Sequence, residues 1–216
     1  MKLASVLLLA ASLASAAPRL TYSKYFKGSI PEYVAITVER SGAATYQEAK
    51  DDENPIKIQL SESDTQVLFE LADKLDHFKQ AVESGLKVAN MGTKTFAFED
   101  GAEKHSVQFN YSQDTNAQAL LDWFERITET ESHFVNLDRT VHYDKLGVND
   151  VLLQMQITWE HKRLVAPEQF LPLLDRVAKN DTFLHIARER AAALSEAIRK
   201  PAPPESAAAP PDKTQP

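Results

Sequence analysis

One serine and one lysine of this chain have the spacing of a Ser-x-x-Lys catalytic motif. Ser84 lies three residues before Lys87, the spacing at which the lysine of penicillin-recognising enzymes helps to deprotonate the nucleophilic serine. Those enzymes also carry Ser-Asp-Asn and Lys-Thr-Gly elements, and this sequence contains neither. A Gly-x-Ser-x-Gly nucleophile motif is also missing. The Ser84 pair is therefore interpreted as a chance match between two common residue types.

Histidine and glutamate stand four residues apart in two places, Glu129 with His133 and His185 with Glu189. On a helix this spacing puts both side chains on one face, where they could share a metal ion or form a solvated surface pair. The sequence offers no third ligand nearby and no His-Glu-x-x-His motif. With no cysteine and only six widely separated glycines, it also lacks a thiol nucleophile and a nucleotide-binding loop. We predict no cofactor and no catalytic, cofactor-binding or metal-ligating residue.

Carboxylates occur together at residues 51–53 and at Glu99-Asp100. Both groups fall in predicted turns, where solvated charge is the default. The paired carboxylates of a glycosidase meet in space and not in sequence, so a sequence alone does not reveal them. An exported hydrolase with carboxylate-based catalysis therefore stays open as an alternative function.

The first residues have the form of an export signal. Met1-Lys2 precedes an apolar run from Leu3 to Leu13, and Ala14-Ser15-Ala16 resembles a cleavage site. The run is far shorter than the roughly 20 apolar residues that a bilayer requires, and no later segment is long and apolar enough to be a transmembrane segment. We expect a protein exported to the bacterial periplasm or the extracellular space. The formal net charge of −7, without a basic cluster, argues against nucleic acid as a partner.

The middle of the chain reads as two hairpins, each followed by a helix. Residues 33–48 predict the first hairpin, residues 56–60 predict a further short strand, and Ser61 predicts the cap of a helix. Thr95 to Tyr111, with Asp100-Gly101 at the turn, predicts the second hairpin. Asp114 or Thr115 then starts a helix that ends near Gly147. Hairpin, helix, hairpin, helix predicts an α+β fold with a two-layer antiparallel sheet.

The pattern after residue 148 is mostly helical. Residues 149–163 fit both a strand, through alternation of apolar and polar residues, and a helix, and we predict a helix. Pro167 is placed as a first-turn residue, and Asn180 or Asp181 is predicted to cap the last helix. The last residues, rich in Pro and Ala, contain no bulky apolar side chain and predict a disordered tail.

A short motif near the start of the α+β module has a counterpart elsewhere. Phe26-Lys27-Gly28-Ser29-Ile30-Pro31-Glu32-Tyr33, followed by Ile36, Gly42 and Tyr46, resembles the opening of a family of small exported bacterial domains of unknown function. The resemblance covers about residues 26–128 and implies the fold without implying an activity. That family has a Cys in its Phe-Gly-Cys-Pro-Tyr opening, and this chain has none. The same residues also have a structural explanation, in which Gly28 and Pro31 set a turn and Tyr33 pairs with Tyr46 across the hairpin.

The sequence thus predicts an exported, non-catalytic module that binds a protein or a component of the cell envelope. The expected surface is the sheet face or the helical C-terminal region. The predicted organisation is a signal peptide at 1–16, an N-terminal arm at 17–27, an α+β module at 28–131, a helical region at 132–199 and a disordered Pro/Ala-rich tail at 200–216.

Overall fold

A computed structural model describes residues 17–200 of the chain. The predicted signal peptide and residues 201–216 of the predicted tail lie outside the described residues. The fold is α+β, 47% helix and 21% strand, with a helical C-terminal region, as the sequence predicts. The chain divides into two compact units that meet in the sequence at Asp122 and Trp123, and we call them unit 1 and unit 2. None of the helices within residues 17–200 combines the length and the apolar character that crossing a bilayer requires.

Unit 1 contains a six-stranded sheet in which every neighbouring pair of strands is antiparallel. The order across the sheet is β4-β3-β2-β1-β5-β6. Both predicted hairpins and the predicted short strand are confirmed. The strands are β1 Arg19–Tyr25, β2 Tyr33–Glu39, β3 Ala43–Gln47, β4 Ile56–Gln59, β5 Thr93–Asp100 and β6 Glu103–Phe109.

The strand β1 is an element that the sequence analysis does not predict, because it falls within the predicted N-terminal arm. It has only two buried apolar side chains, Leu20 and Tyr22, and Lys24 occupies the next position on the same face. Two apolar residues are too few for a clear alternation. The strand is held instead by its neighbours, since Tyr22 lies opposite Ile36 of β2 and opposite Phe96 of β5.

One face of the sheet is buried, and the core of unit 1 lies on it. The helix α1, Glu62–Lys74, begins after Ser61, whose side chain accepts a hydrogen bond from the Asp64 N–H as the capping motif predicts. After α1, the ring of Phe78 lies 5.4 Å from that of Phe96. The fully buried side chains of the sheet and α1 include Leu20, Tyr22, Ile36, Val38, Tyr46, Leu68, Phe69 and Phe96.

The proposed pairing of Tyr33 with Tyr46 is wrong, because the two residues lie on opposite faces of the sheet. Tyr46 is buried opposite Ile36. Tyr33 lies opposite Tyr25 on the other face, where it is half-buried. Successive residues of a strand point to opposite faces, so the register alone separates the two rings.

A left-handed turn follows α1. Asp76, His77 and Phe78 have φ values of 48°, 50° and 65°, a conformation that costs a non-glycine residue roughly 1–2 kcal/mol. The His77 ring offsets this cost through contacts on three sides. Its Nε2 lies 2.8 Å from Asp73 Oδ1, its Nδ1 lies 3.4 Å from Glu103 Oε1, and its ring stacks on Phe98 with centroids 3.9 Å apart.

Unit 2 is helical, and residues 149–163 begin in a helix as predicted. Its core is an apolar cluster of fully buried side chains that includes Leu152, Met155, Phe170 and Leu174. The predicted cap of the last helix is wrong: Asn180 Oδ1 accepts from the Thr182 N–H in the preceding turn, and the helix begins later. The helices are α2 Thr115–Tyr143, which crosses the boundary between the units, α3 Val148–Glu160, α4 Leu171–Lys179 and α5 His185–Arg199, with a 3-10 turn at Pro167–Phe170.

The two ends of the sheet carry different features. At one end, where β1 starts, the Arg40 N–H donates to the carbonyl oxygen of Pro18 over 3.1 Å. The opposite end carries three loops, at 26–32, 48–55 and 79–92, and we call it the loop end. Strand direction places them together, because β1 and β3 end there and β2, β4 and β5 begin there.

Gly42 and Gly85 both have positive φ, +83° and +69°, but only Gly42 is crowded. A Cβ at Gly42 would lie 2.7 Å from Leu60 O, whereas a Cβ at Gly85 would meet nothing within 4 Å. We expect Gly85→Ala to lower the free energy of unfolding by about 1 kcal/mol and Gly42→Ala by about 2 kcal/mol or more. Denaturant unfolding measures both, and equal losses would contradict the contribution of the close contact.

Candidate functional site

Within unit 1, the exposed large apolar side chains lie mainly at the loop end. Tyr25, Ile30, Leu86, Val88 and Met91 are between 41% and 101% exposed. Within residues 17–122, Val67 is the only other large apolar side chain with comparable exposure. Single exposed apolar residues are ordinary, but a concentration at one end of a domain marks an interaction site. We call loops 26–32 and 79–92, with Tyr25, the apolar loop pair.

The 26–32 loop is fixed by its own hydrogen bonds. The Phe26 N–H donates to Glu32 O over 2.9 Å, and the Ser29 N–H donates to Phe26 O over 3.1 Å. The carboxylate of Glu32 accepts from the Gly28 N–H over 2.9 Å, and Gly28 has a φ of +88° that suits glycine. The side chain of Ile30 projects from this framework and is fully exposed.

The 79–92 loop has no regular secondary structure after Lys79, but it is tied to the residues that follow β6. Glu83 Oε2 accepts from the Asn110 N–H over 2.6 Å, and the Ser84 N–H donates to Tyr111 O over 2.9 Å. Asn110 also contacts the far part of the loop, because its Oδ1 accepts from the Met91 N–H and its Nδ2 donates to Ala89 O. The loop is therefore closed at both ends by the same short segment.

The electrostatics of Glu83 agree with this role. The backbone N–H of Asn110, followed by that of Gly85 and the Ser84 hydroxyl, favours the charged carboxylate and lowers the pKa of Glu83. Charged acceptors form the stronger class of hydrogen bond, so Glu83 is well suited to hold the loop at neutral pH.

The two loops touch at their bases. A Cβ at Gly92 would lie 2.8 Å from Phe26 Cβ and 2.9 Å from Tyr25 O, so residue 92 fits only as glycine, with a φ of +90°. The register confirms this proximity, because Tyr25 lies opposite Thr93. The apolar loop pair is thus an ordered surface that presents apolar side chains.

Ser84 and Lys87 both lie in the 79–92 loop. The Ser84 hydroxyl is 3.2 Å from Glu83 Oε1, to which it donates, and it accepts from the Leu86 N–H over 3.2 Å. Both bonds belong to the folding of the loop, and Lys87 is exposed. The structure therefore gives Ser84 a structural role within the loop.

Glu129 and His133 are brought together through a third residue. His133 Nε2 lies 2.9 Å from Thr158 Oγ1, and that hydroxyl donates to Glu129 Oε1 over 3.3 Å. Glu129 Oε2 also accepts from Arg163 Nε over 2.8 Å. Because the only hydroxyl proton points to Glu129, the imidazole must act as the donor to Thr158, which is the reverse of the arrangement that activates a nucleophile. Burial lowers the pKa of His133 and so favours the neutral ring, although the charge of Glu129 acts in the opposite direction.

The other residues considered from the sequence lie on the surface. His185 Nε2 and Glu189 Oε1 are 3.1 Å apart, and their side chains are 75% and 66% exposed. Asp52 Oδ1 accepts from the Asn54 N–H in its turn, and Glu99 pairs with Arg19 and Lys104 across the sheet. Within residues 17–200, no three His, Cys, Asp or Glu side chains are grouped so that they could hold a metal ion.

Glu131 is a fully buried glutamate that the sequence analysis did not single out. Its Oε1 accepts from Gln169 Nε2 over 2.9 Å, while its Oε2 has no hydrogen-bond partner among the described residues. Burial raises the pKa of Glu131 to about 7, and the bond from Gln169 only partly offsets that effect. The sequence contains a signal for this burial, because residue 131 lies on the same helix face as the buried residues Phe124 and Ile127.

Comparison of the chain with models of protein families gives no match. Comparison with curated proteins gives no match either. The resemblance of residues 26–128 to small exported bacterial domains of unknown function therefore stays a prediction.

We expect Glu83→Gln to loosen the 79–92 loop without unfolding unit 1, because the acceptor loses its charge. Hydrogen exchange of the Asn110 and Gly85 amides should become several-fold faster, because a neutral amide oxygen is a weaker acceptor than a carboxylate. Glu53→Gln, in the exposed turn before β4, is the control. Unchanged exchange at Asn110 in Glu83→Gln would show that the carboxylate does not hold the loop.

We expect Glu131 to make the protein less stable as the pH rises from about 4.5 to 7. Over this range the unfolded chain loses the proton of Glu131 and the folded chain keeps it. The contribution of this proton to stability is therefore complete at a pH below the ordinary pKa of glutamate, and it is lost at a pH above the raised pKa. The loss is about 3 kcal/mol. Glu131→Gln should remove this part of the pH dependence in urea unfolding, and Glu125→Gln, exposed on the same helix, should retain it. Parallel pH profiles for the wild type and Glu131→Gln would refute the assignment.

Proposed function

We propose that this chain is an exported, non-catalytic interaction module that docks on a protein through the apolar loop pair. The observation that carries the proposal is the concentration of exposed apolar side chains on two loops whose backbones are fixed by hydrogen bonds. Exposed apolar groups on ordered loops are costly to maintain unless a partner covers them.

The energetics favour docking at these loops. Transfer of one fully exposed large aliphatic side chain from water into an interface contributes about 1.5–3 kcal/mol. Ile30 is fully exposed, and Leu86, Val88 and Met91 are each about half exposed, so each of these three can contribute about half as much. Because the loops are already ordered, little conformational entropy is lost on binding. A few such side chains can supply most of the binding energy of an interface.

The chemistry of the described residues supports a binding role over the hydrolase alternative. A glycosidase uses two carboxyl groups around one bond, whereas the hydrogen-bond partner of Glu131 is the amide of Gln169. Glu129 is bound by Thr158 and Arg163. The predicted export signal at residues 1–16 supports a location outside the cytoplasm, and the acidic net charge of −7 argues against nucleic acid as the partner.

Photo-crosslinking tests the proposal. We expect p-benzoylphenylalanine in place of Ile30 or Leu86 to give one discrete adduct in an extract of the producing organism. The same group in place of Leu146, which is 74% exposed in unit 2, should give none. Adducts of equal yield from all three positions would overturn the proposal.

The identified partner then permits a quantitative test. Ile30→Ser should raise the Kd at least about tenfold, because it removes about 1.5–3 kcal/mol of apolar burial. Leu86→Ser should raise the Kd by at least about threefold, because Leu86 is 51% exposed and a partner can newly bury only that part of it. Leu146→Ser should leave the Kd unchanged. Calorimetry measures all three, and an unchanged Kd for the loop variants would contradict docking at this end.

A further inference from the structure

We infer that the apolar loop pair docks on a second copy of this chain, in a two-fold arrangement in which the loop ends of two molecules meet. The inference rests on the proposed function and names the partner. The charges around the apolar side chains and the size of the loop end both favour such a partner.

The apolar loop pair carries its own positive charge. Lys27 and Lys87 are exposed within the two loops. The acidic side chains of the same loops are turned to the backbone, since Glu32 accepts from the Gly28 N–H and Glu83 from the Asn110 N–H. Both carboxylates are exposed, but backbone N–H groups hold them, and Lys79 is paired with Asp76 and Glu103. Lys27 and Lys87 are therefore the charges of the two loops for which the described residues show no partner.

The neighbouring loop at the same end carries the opposite charge. The 48–55 loop joins β3 and β4, and its position beside the 26–32 loop follows from the order β3-β2-β1. Asp51, Asp52 and Glu53 are exposed in it. Its one lysine, Lys50, lies 5.8 Å from the ring centroid of Tyr33, back towards the 26–32 loop.

The loop end thus holds an apolar surface with lysines on it and carboxylates to one side. A two-fold axis through this end places the same patch of two molecules face to face and lets residue i of one copy contact residue j of the other. The lysines of each copy can then face residues 51–53 of its partner while the apolar side chains meet. An anionic membrane fits less well, because a uniformly charged plane would bring its headgroups against the three carboxylates.

The size of the loop end also fits a specific interface. Loops 26–32, 48–55 and 79–92 together contain about as many residues as the roughly 20–30 that each side of a standard interface contributes. Aliphatic side chains in the centre with charged residues at the edge reproduce the usual anatomy of such a surface.

Sedimentation equilibrium of the chain, purified after export from an expressing bacterium, tests self-association. We expect a concentration-dependent dimer that the double variant I30E/L86E shifts to monomer, with a Kd raised at least about tenfold. The control L146E should leave the dimer intact. Circular dichroism of each variant verifies that the fold is retained. A chain that stays monomeric at all concentrations, or a dimer that I30E/L86E does not weaken, would overturn the inference.

A charge exchange tests the two-fold pairing. K27E/K87E puts acidic residues in the apolar loop pair beside acidic residues 51–53, and D51K/D52K/E53K puts basic residues beside Lys27 and Lys87. Each variant alone should dimerise at least about threefold more weakly than the wild type, because like charges then face each other. A mixture of the two should regain association as a heterodimer, because every charge again meets its opposite. Absence of that recovery would refute the charge pairing.

The outcomes also separate this inference from the proposed function. A monomeric chain that still crosslinks through residues 30 and 86 to a different protein would overturn self-association alone. Binding of vesicles of phosphatidylglycerol, but not of phosphatidylcholine, through Lys27 and Lys87 would replace the protein partner by an anionic membrane and overturn both. A monomer without any adduct at those positions would likewise overturn both.

Discussion

Backbone pairing along β1 is the interaction on which the rest of unit 1 depends. This strand is bonded over its whole length to β2 on one side and to β5 on the other. It therefore joins β2, β3 and β4 to the hairpin of β5 and β6. A shift of one residue in its register would turn Leu20 and Tyr22 away from the core. The same register brings the end of β1 next to the start of β5, and so sets the two apolar loops side by side.

Local patterns predicted the elements that carry their own signals. The hairpin at Asp100-Gly101, the cap at Ser61 and the long helix after Asp114 all rest on contacts within a few residues. The strand β1 lacked such a signal because its stability comes from two distant partners. The predicted start of α5 was wrong for a related reason. The Asn180 side chain accepts a backbone N–H two residues later in a turn, and the same kind of bond would cap a helix.

The candidate site was less predictable than the fold. The 79–92 loop contains Gly85, Asn90 and Gly92, which indicate a loop, but nothing local shows that Glu83 and Asn110 close it. Exposure of Leu86 and Val88 likewise depends on the path of the whole chain. Burial of Glu131 is the opposite case, because its position on the apolar stripe of α2 follows from the sequence spacing. A glutamate is nevertheless expected at the surface, so its charge argues against the burial that the spacing indicates.

The place of Pro18 has a practical consequence. Its carbonyl is bonded to Arg40 at the end of the sheet opposite the apolar loops, and a seven-residue strand that spans about 20 Å separates the two ends. An affinity tag or a surface linkage attached before Ala17 would therefore hold unit 1 with the apolar loop pair directed away from the point of attachment. Immobilisation through the N-terminal side of unit 1 would leave the apolar loop pair accessible to a molecule in solution.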